Sequence, residues 1–173
     1  MKTLIDNIEQ AFADVEYPGD NHLTDSTYGE EPAALVRDFR GKTDRQKLDA
    51  AFLNRTPDGW GSALSFFSGD ALRFYLPVYL IADIRGDLTC TDPASRLCSS
   101  LAQHGAGQKI AQEWGGGTMP ERVRADFAKF DAAQVSAVVA YLWWKLDAIG
   151  GQDLSIEQAL VNYWLARDAS TQD

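Results

Sequence analysis

Few side chains of the 173-residue sequence are of types that do chemistry: it has two histidines and two cysteines. His22 lies in a polar stretch between Asp20 and Asp25. That setting suits a carboxylate-tuned general base or part of a hard-metal cluster. Asp-Asn-His is also ordinary turn composition, and no second ligand-spaced set accompanies it, which favours the turn. His104 follows Cys98 by six residues. A thiol–imidazole nucleophile would need the two in contact, whereas Cys98 falls on the apolar side of its segment and reads as an inert thiol. The run Trp114-Gly115-Gly116-Gly117-Thr118 could cradle a phosphate on its amides. A P-loop continues with Lys-Ser/Thr opening a helix, and here Met119-Pro120 follows, so a connector is expected. No Gly-x-Ser-x-Gly elbow occurs.

Charge is more informative. From Asp14 to Glu31 there are six acids (Asp14, Glu16, Asp20, Asp25, Glu30 and Glu31) and no Lys or Arg, while Arg37 to Arg55 holds six bases against three acids. The acidic stretch could steer a basic partner, and a solvated loop serving solubility has the same composition. Trp60 and Trp114, each beside glycine, are candidate interface anchors. Arg73 and Asp83 stand out because their surroundings, Leu72 to Ile84, are apolar on nearly every face. A charge there must be exposed, paired or hydrogen-bonded, since an unpaired buried charge is costly. They are either a polar site within a helical bundle or, as favoured here, two residues each paired with another helix.

The elements carrying these residues have a helical period throughout. Leu4, Ile5, Ile8, Phe12 and Val15 form one stripe, predicting a helix over 3–15 before Tyr17-Pro18-Gly19-Asp20 breaks it. A short helix over 30–39 follows, ended by Gly41. Thr43-Asp44-Arg45-Gln46 reads as a capping box for a helix turning Leu48, Ala51 and Phe52 inward. Ser68 is a candidate N-cap for an apolar helix over 69–84, with Pro77 inside it to kink it and free the carbonyl of Arg73. Asp92-Pro93 opens a helix through Leu97 and Leu101, Pro120 at N1 another, and Asp131 a long apolar helix over 132–149 that Gly150-Gly151 ends. Ser155-Ile156-Glu157-Gln158 looks like a further capping box, with Leu154 as a hydrophobic staple. Trp143, Trp144 and Trp164 read as core. No strand alternation, repeat or linker is visible. The expectation is an all-α fold, a single compact bundle of six to eight helices over 1–173.

Composition narrows the function classes. The formal charge of −9 disfavours nucleic acid and anionic membranes and suits a basic partner. No signal peptide precedes Asp6, and the longest apolar run, 137–144, is far short of the roughly 18 residues a spanning helix needs. Two cysteines outside any CxxC pair fit a reducing, cytoplasmic setting, and no cofactor or metal is expected.

Leu64-Ser65-Phe66-Phe67-Ser68-Gly69-Asp70-Ala71-Leu72-Arg73-Phe74-Tyr75-Leu76-Pro77-Val78-Tyr79-Leu80 resembles the L-S-F-x-S-x-x-A-x-R-Y/F-Y-L-P-x-Y/F-L signature of an uncharacterised family of small bacterial proteins. Ile8-Glu9-Gln10-Ala11-Phe12 with Tyr17-Pro18-Gly19-Asp20, and Phe130-Asp131-x-x-Gln134-x-x-Ala137-Val138, are similar to other parts of that family. Gly69-Asp70 after Ser68 departs from the commoner pattern. The resemblance implies a shared fold and carries no activity with it. By analogy with other small acidic proteins lacking catalytic motifs, the expectation is a non-enzymatic, immunity-like inhibitor. It would occlude a basic toxin or enzyme with Asp20, Asp25, Glu30, Glu31 and Trp60. The alternatives are a small metal-assisted hydrolase using Arg73 and Asp83, with His22 or His104, and a structural subunit.

Overall fold

A computed structural model describes residues 1–26, 29–55, 63–102, 109–110 and 116–169. In chain order its helices are α1 (Lys2–Ala11), α2 (Glu30–Phe39), α3 (Ala50–Arg55), α4 (Ala63–Phe66), α5 (Gly69–Arg85), α6 (Pro93–Cys98), α7 (Met119–Ala128), α8 (Ala132–Ala148), α9 (Leu154–Ala159) and α10 (Leu165–Ala169). Single 3-10 turns occupy Asp20–His22 and Arg45–Lys47, and a π turn over Leu160–Trp164 joins α9 to α10. Among the described residues no strand forms beyond an isolated antiparallel bridge between Lys109 and Thr118, so the fold is all-α as the helical period predicts. No helix among them is long and apolar enough to cross a membrane. The chain packs as two compact units, Met1–Ala13 with Ala94–Asp173, and Asp14–Pro93.

In the first unit α8 packs against α1 and α10. Asp131 accepts from the amide of Gln134, whose side chain answers the amide of Asp131, closing the capping box that starts α8. Gln134 also reaches the carbonyl of Ala11 at 3.3 Å, which explains how a polar side chain sits fully buried in this seam. Phe12, Phe127, Phe130, Tyr163 and Trp164 meet ring to ring behind it. The π turn sets Asn162 and Trp164 so that each donates to a carbonyl, Leu101 at 3.2 Å and Leu97 at 3.1 Å. These are carbonyls at and just beyond the C-terminal end of the short α6, where a helix leaves its acceptors without partners.

The second unit is organised around an aromatic cluster in which Phe39 meets Phe52, Phe67 and Tyr75 at 4.9–5.0 Å between centroids. Ser68 caps α5 by accepting from Ala71, as its sequence position predicts, and Gly86, at φ 77°, ends it one residue beyond the expected Ile84. Pro77 lies inside α5, where its missing amide withdraws the bond that Arg73's carbonyl would receive. Next to it, Arg45 donates to the carbonyl of Phe74 at 3.2 Å and to that of Val15 at 3.4 Å.

Several sequence expectations shift. The first helix ends at Ala11 rather than Val15: residues 12–14 form a turn, residues 15–19 have no regular structure, and the carbonyl of Val15 is taken by Arg45. Thr43 caps nothing in the expected box. Asp44 instead caps the 3-10 turn, and Asp49 takes the amide of Phe52 in α3, which rotates Leu53 inward and leaves Ala51 exposed. The last helix is capped by Asp153 rather than Ser155, which makes Leu154 its first residue and leaves that side chain 65% exposed instead of stapled. The helix opened at Pro93 stops at Cys98, and Leu101 is buried in the turn beyond it. Trp143, expected in the core, is 49% exposed on α8, while Trp164 is fully buried.

Candidate functional site

The segment joining α1 to α2 has little regular structure but many anchors. Gly19 adopts φ 92°, a conformation an L side chain rarely takes, and so turns the chain to present Asp20. The Asp20 carboxylate accepts from the hydroxyl of Tyr17 and, at 2.8 Å, from the amide of Gly41 across twenty-one residues of sequence. Tyr17 lies edge-on to Phe74. Leu23 is fully buried, and its carbonyl accepts from the amide of Ser68 at 3.0 Å. The hydroxyl of Ser68 donates to the carbonyl of His22 at 2.5 Å, so one side chain caps α5 and holds the loop. Thr24 in turn accepts from the amide of Ser26.

These bonds shift two ionisations. Tyr17 is pushed up to about 12, first by burial and then by its bond to the Asp20 carboxylate. Asp20 is lowered from its ordinary 3.8, chiefly by the Tyr17 hydroxyl and next by the Gly41 amide. Its charge is therefore committed to the fold, whereas Asp14, Glu16, Asp25, Glu30 and Glu31 stand exposed around the anchored backbone. No lysine or arginine lies between residues 14 and 36 to neutralise them. Glu30 and Glu31 begin α2, where acids are favoured by the helix dipole.

The structure leaves Asp25 exposed just beyond the tethered stretch 20–23 and Glu30 and Glu31 exposed at the start of α2, while Asp20 is turned to Tyr17 and Gly41. Trp60, Trp114 and His104 lie outside the described residues. His22 is exposed, and its visible role is its backbone carbonyl. Arg73 and Asp83 are both half-buried on α5 rather than fully enclosed. Cys98 is buried and Cys90 exposed. Among the described residues no three of His, Cys, Asp or Glu gather into a group able to hold a metal ion.

Sequence reasoning missed the anchors. Tyr17, Gly41 and Ser68 are far apart in the chain, and only the double use of Ser68 could be suspected, from its N-cap position before an apolar helix. Trp143 was missed because α8 is apolar on nearly all sides, and periodicity then cannot pick the face left open.

Comparison with known proteins gives a family and no activity. No curated protein and no solved structure matches the chain significantly. A family model described as a family of unknown function (DUF6714) matches residues 1–168, nearly the whole sequence, and the chain belongs to that family.

Proposed function

We propose that this chain is a non-enzymatic binding protein, an immunity-like inhibitor that works in the bacterial cytoplasm and covers a basic site on a cognate toxin or enzyme. The observation that carries the reading is the set of exposed acids: Asp25, just beyond a stretch tethered at Asp20, His22 and Leu23, and Glu30 and Glu31 on the first turn of α2. Negative charge speeds encounter with a basic surface, and a loop already held in place loses little entropy on docking. Asp20 acts behind that surface by holding Gly41 and Tyr17. Asp14 and Glu16 extend the negative field along the same segment.

The test is co-expression. A partner recovered with this protein should be toxic alone and harmless alongside it, and the variant D25K/E30K/E31K should lose protection while remaining folded. Protection undiminished by that reversal would sink the proposed surface. Stoichiometric metal in the purified protein, with hydrolytic activity that follows it, would favour the hydrolase alternative.

A further inference from the structure

The acidic surface leaves the basic stretch of the same unit without a role. Of its six cations, Arg37 pairs with Asp38 at 3.1 Å, and Arg45 is half-buried with its guanidinium on backbone carbonyls and over the Phe74 ring. Arg40 lies in the field of Asp20. The other three, Lys42, Lys47 and Arg55, border one open cavity of about 290 Å³.

Its geometry concentrates positive charge. The ammonium of Lys42 lies 5.3 Å from the centroid of Phe52, and the guanidinium carbon of Arg55 lies 5.6 Å from the same centroid. Cations are drawn to an aromatic face, but two of them converging on one ring also repel each other. Among the described residues neither Lys42 nor Arg55 forms an ion pair. Lys47 has Asp44 at 3.1 Å, an exposed pair that solvent screens. Asp49, the one acid among the described residues of the lining, accepts from the Phe52 amide at 2.8 Å. An anion with several oxygens is what such a group lacks.

The cavity is also preformed. The hydroxyl of Tyr75 donates to the carbonyl of Lys42 at 2.9 Å, and the Gly41 amide is held by Asp20. In α3, which carries Ala51, Phe52 and Arg55 of the lining, Asn54 bonds the carbonyls of Ala50 and Asp87, each at 2.9 Å, and accepts from the amides of Thr89 and Cys90. Leu48 and Phe52, both half-buried, add an apolar side. Convergent cations beside an apolar wall on fixed backbone are the parts of a site for an amphipathic anion.

We propose that this groove binds a small organic phosphate, with its phosphoryl oxygens among Lys42, Lys47 and Arg55 and its carbon skeleton against Phe52 and Leu48. The inference stands independently of the acidic surface, since it uses none of the exposed acids.

Amide chemical shifts of the full chain, followed during titration with adenosine monophosphate, glucose 6-phosphate and inorganic phosphate, test it. At least one organic phosphate should saturate shifts centred on residue 42 and residues 47–55, and inorganic phosphate should bind the same residues more weakly. K42Q and R55Q, both at exposed positions and checked for an unchanged spectrum elsewhere, should each weaken binding about tenfold, the loss of one charge-assisted hydrogen bond. R37Q, which removes a cation outside the groove, should leave it unaltered. Failure of all three probes to saturate those shifts would overturn the site, as would equal binding by wild type, K42Q and R55Q. Equal affinity for inorganic and organic phosphate would overturn the apolar half.

Discussion

In the unit built from Met1–Ala13 and Ala94–Asp173, Arg96 is turned inward onto Asp126 at 2.8 Å, the two side chains only 10% and 13% exposed. In the unit Asp14–Pro93, the charges of Asp25, Glu30, Glu31, Lys42 and Arg55 stand in solvent. The first arrangement is structural. Arg96 also lies over the Phe127 ring at 5.1 Å, and burial pulls its pKa down while Asp126 pushes it back up. Arg167 behaves likewise, donating to the carbonyls of Phe127 and Phe130 and to the hydroxyl of Tyr163. The second unit uses Asp20, Arg45, Ser68 and Tyr75 in the same inward way, but there the result is to fix backbone beneath outward charges. Similar bonds therefore do different jobs: in one unit they close a core, in the other they hold a charged surface still.

Breaking the inward pair should have the largest effect on stability. Asp126→Ala leaves Arg96 buried without its carboxylate and should cost about 3–5 kcal/mol in denaturant unfolding. A loss below about 1 kcal/mol would mean that the pair is solvated and the contrast false. Ser68→Ala comes next, at about 1–2 kcal/mol for a lost cap and a lost tether. It should also speed amide exchange along residues 20–26, and unchanged exchange there would deny that Ser68 holds the loop.

The pH dependence sharpens the same point. Asp20 is depressed in the fold, so its contribution is complete above the ordinary carboxylate value of 3.8 and is lost as pH falls through the lowered one. Tyr17 is raised, so its contribution is complete below its ordinary 10.0 and is lost as pH climbs toward about 12. The stabilities of wild type and Tyr17→Phe should differ most at mid pH and converge at both ends of the scale. Parallel pH profiles would remove the Tyr17–Asp20 bond from the account. The smallest effect on stability belongs to D25K/E30K/E31K, expected to cost about 1 kcal/mol or less, chiefly through the lost interaction of Glu30 and Glu31 with the α2 dipole.

Helix class and most boundaries were legible in the residues, because apolar stripes and caps act locally. Asp131 with Gln134 and Ser68 before Gly69 work as their spacing implies. Thr118 with Glu121 closes a second capping box whose Thr-x-x-Glu spacing was equally readable, although Pro120 drew the start one residue late. Where two caps competed, as with Asp153 and Ser155 or Asp44 and Thr43, sequence could not choose, since tertiary packing decides which register buries the apolar face. The charge segregation between residues 14 and 55 was plain. What lay beyond reach was which charges the fold consumes: Asp20 and Asp25 look alike in the chain, yet one ties Tyr17 to Gly41 and the other faces solvent.

The most direct test of the central claim is capture from native lysate by tagged wild type and tagged D25K/E30K/E31K side by side, at low and high salt. The account predicts one basic protein recovered near one-to-one with wild type, reduced by salt and absent from the reversed variant. Equal recovery by both, indifferent to salt, would contradict it.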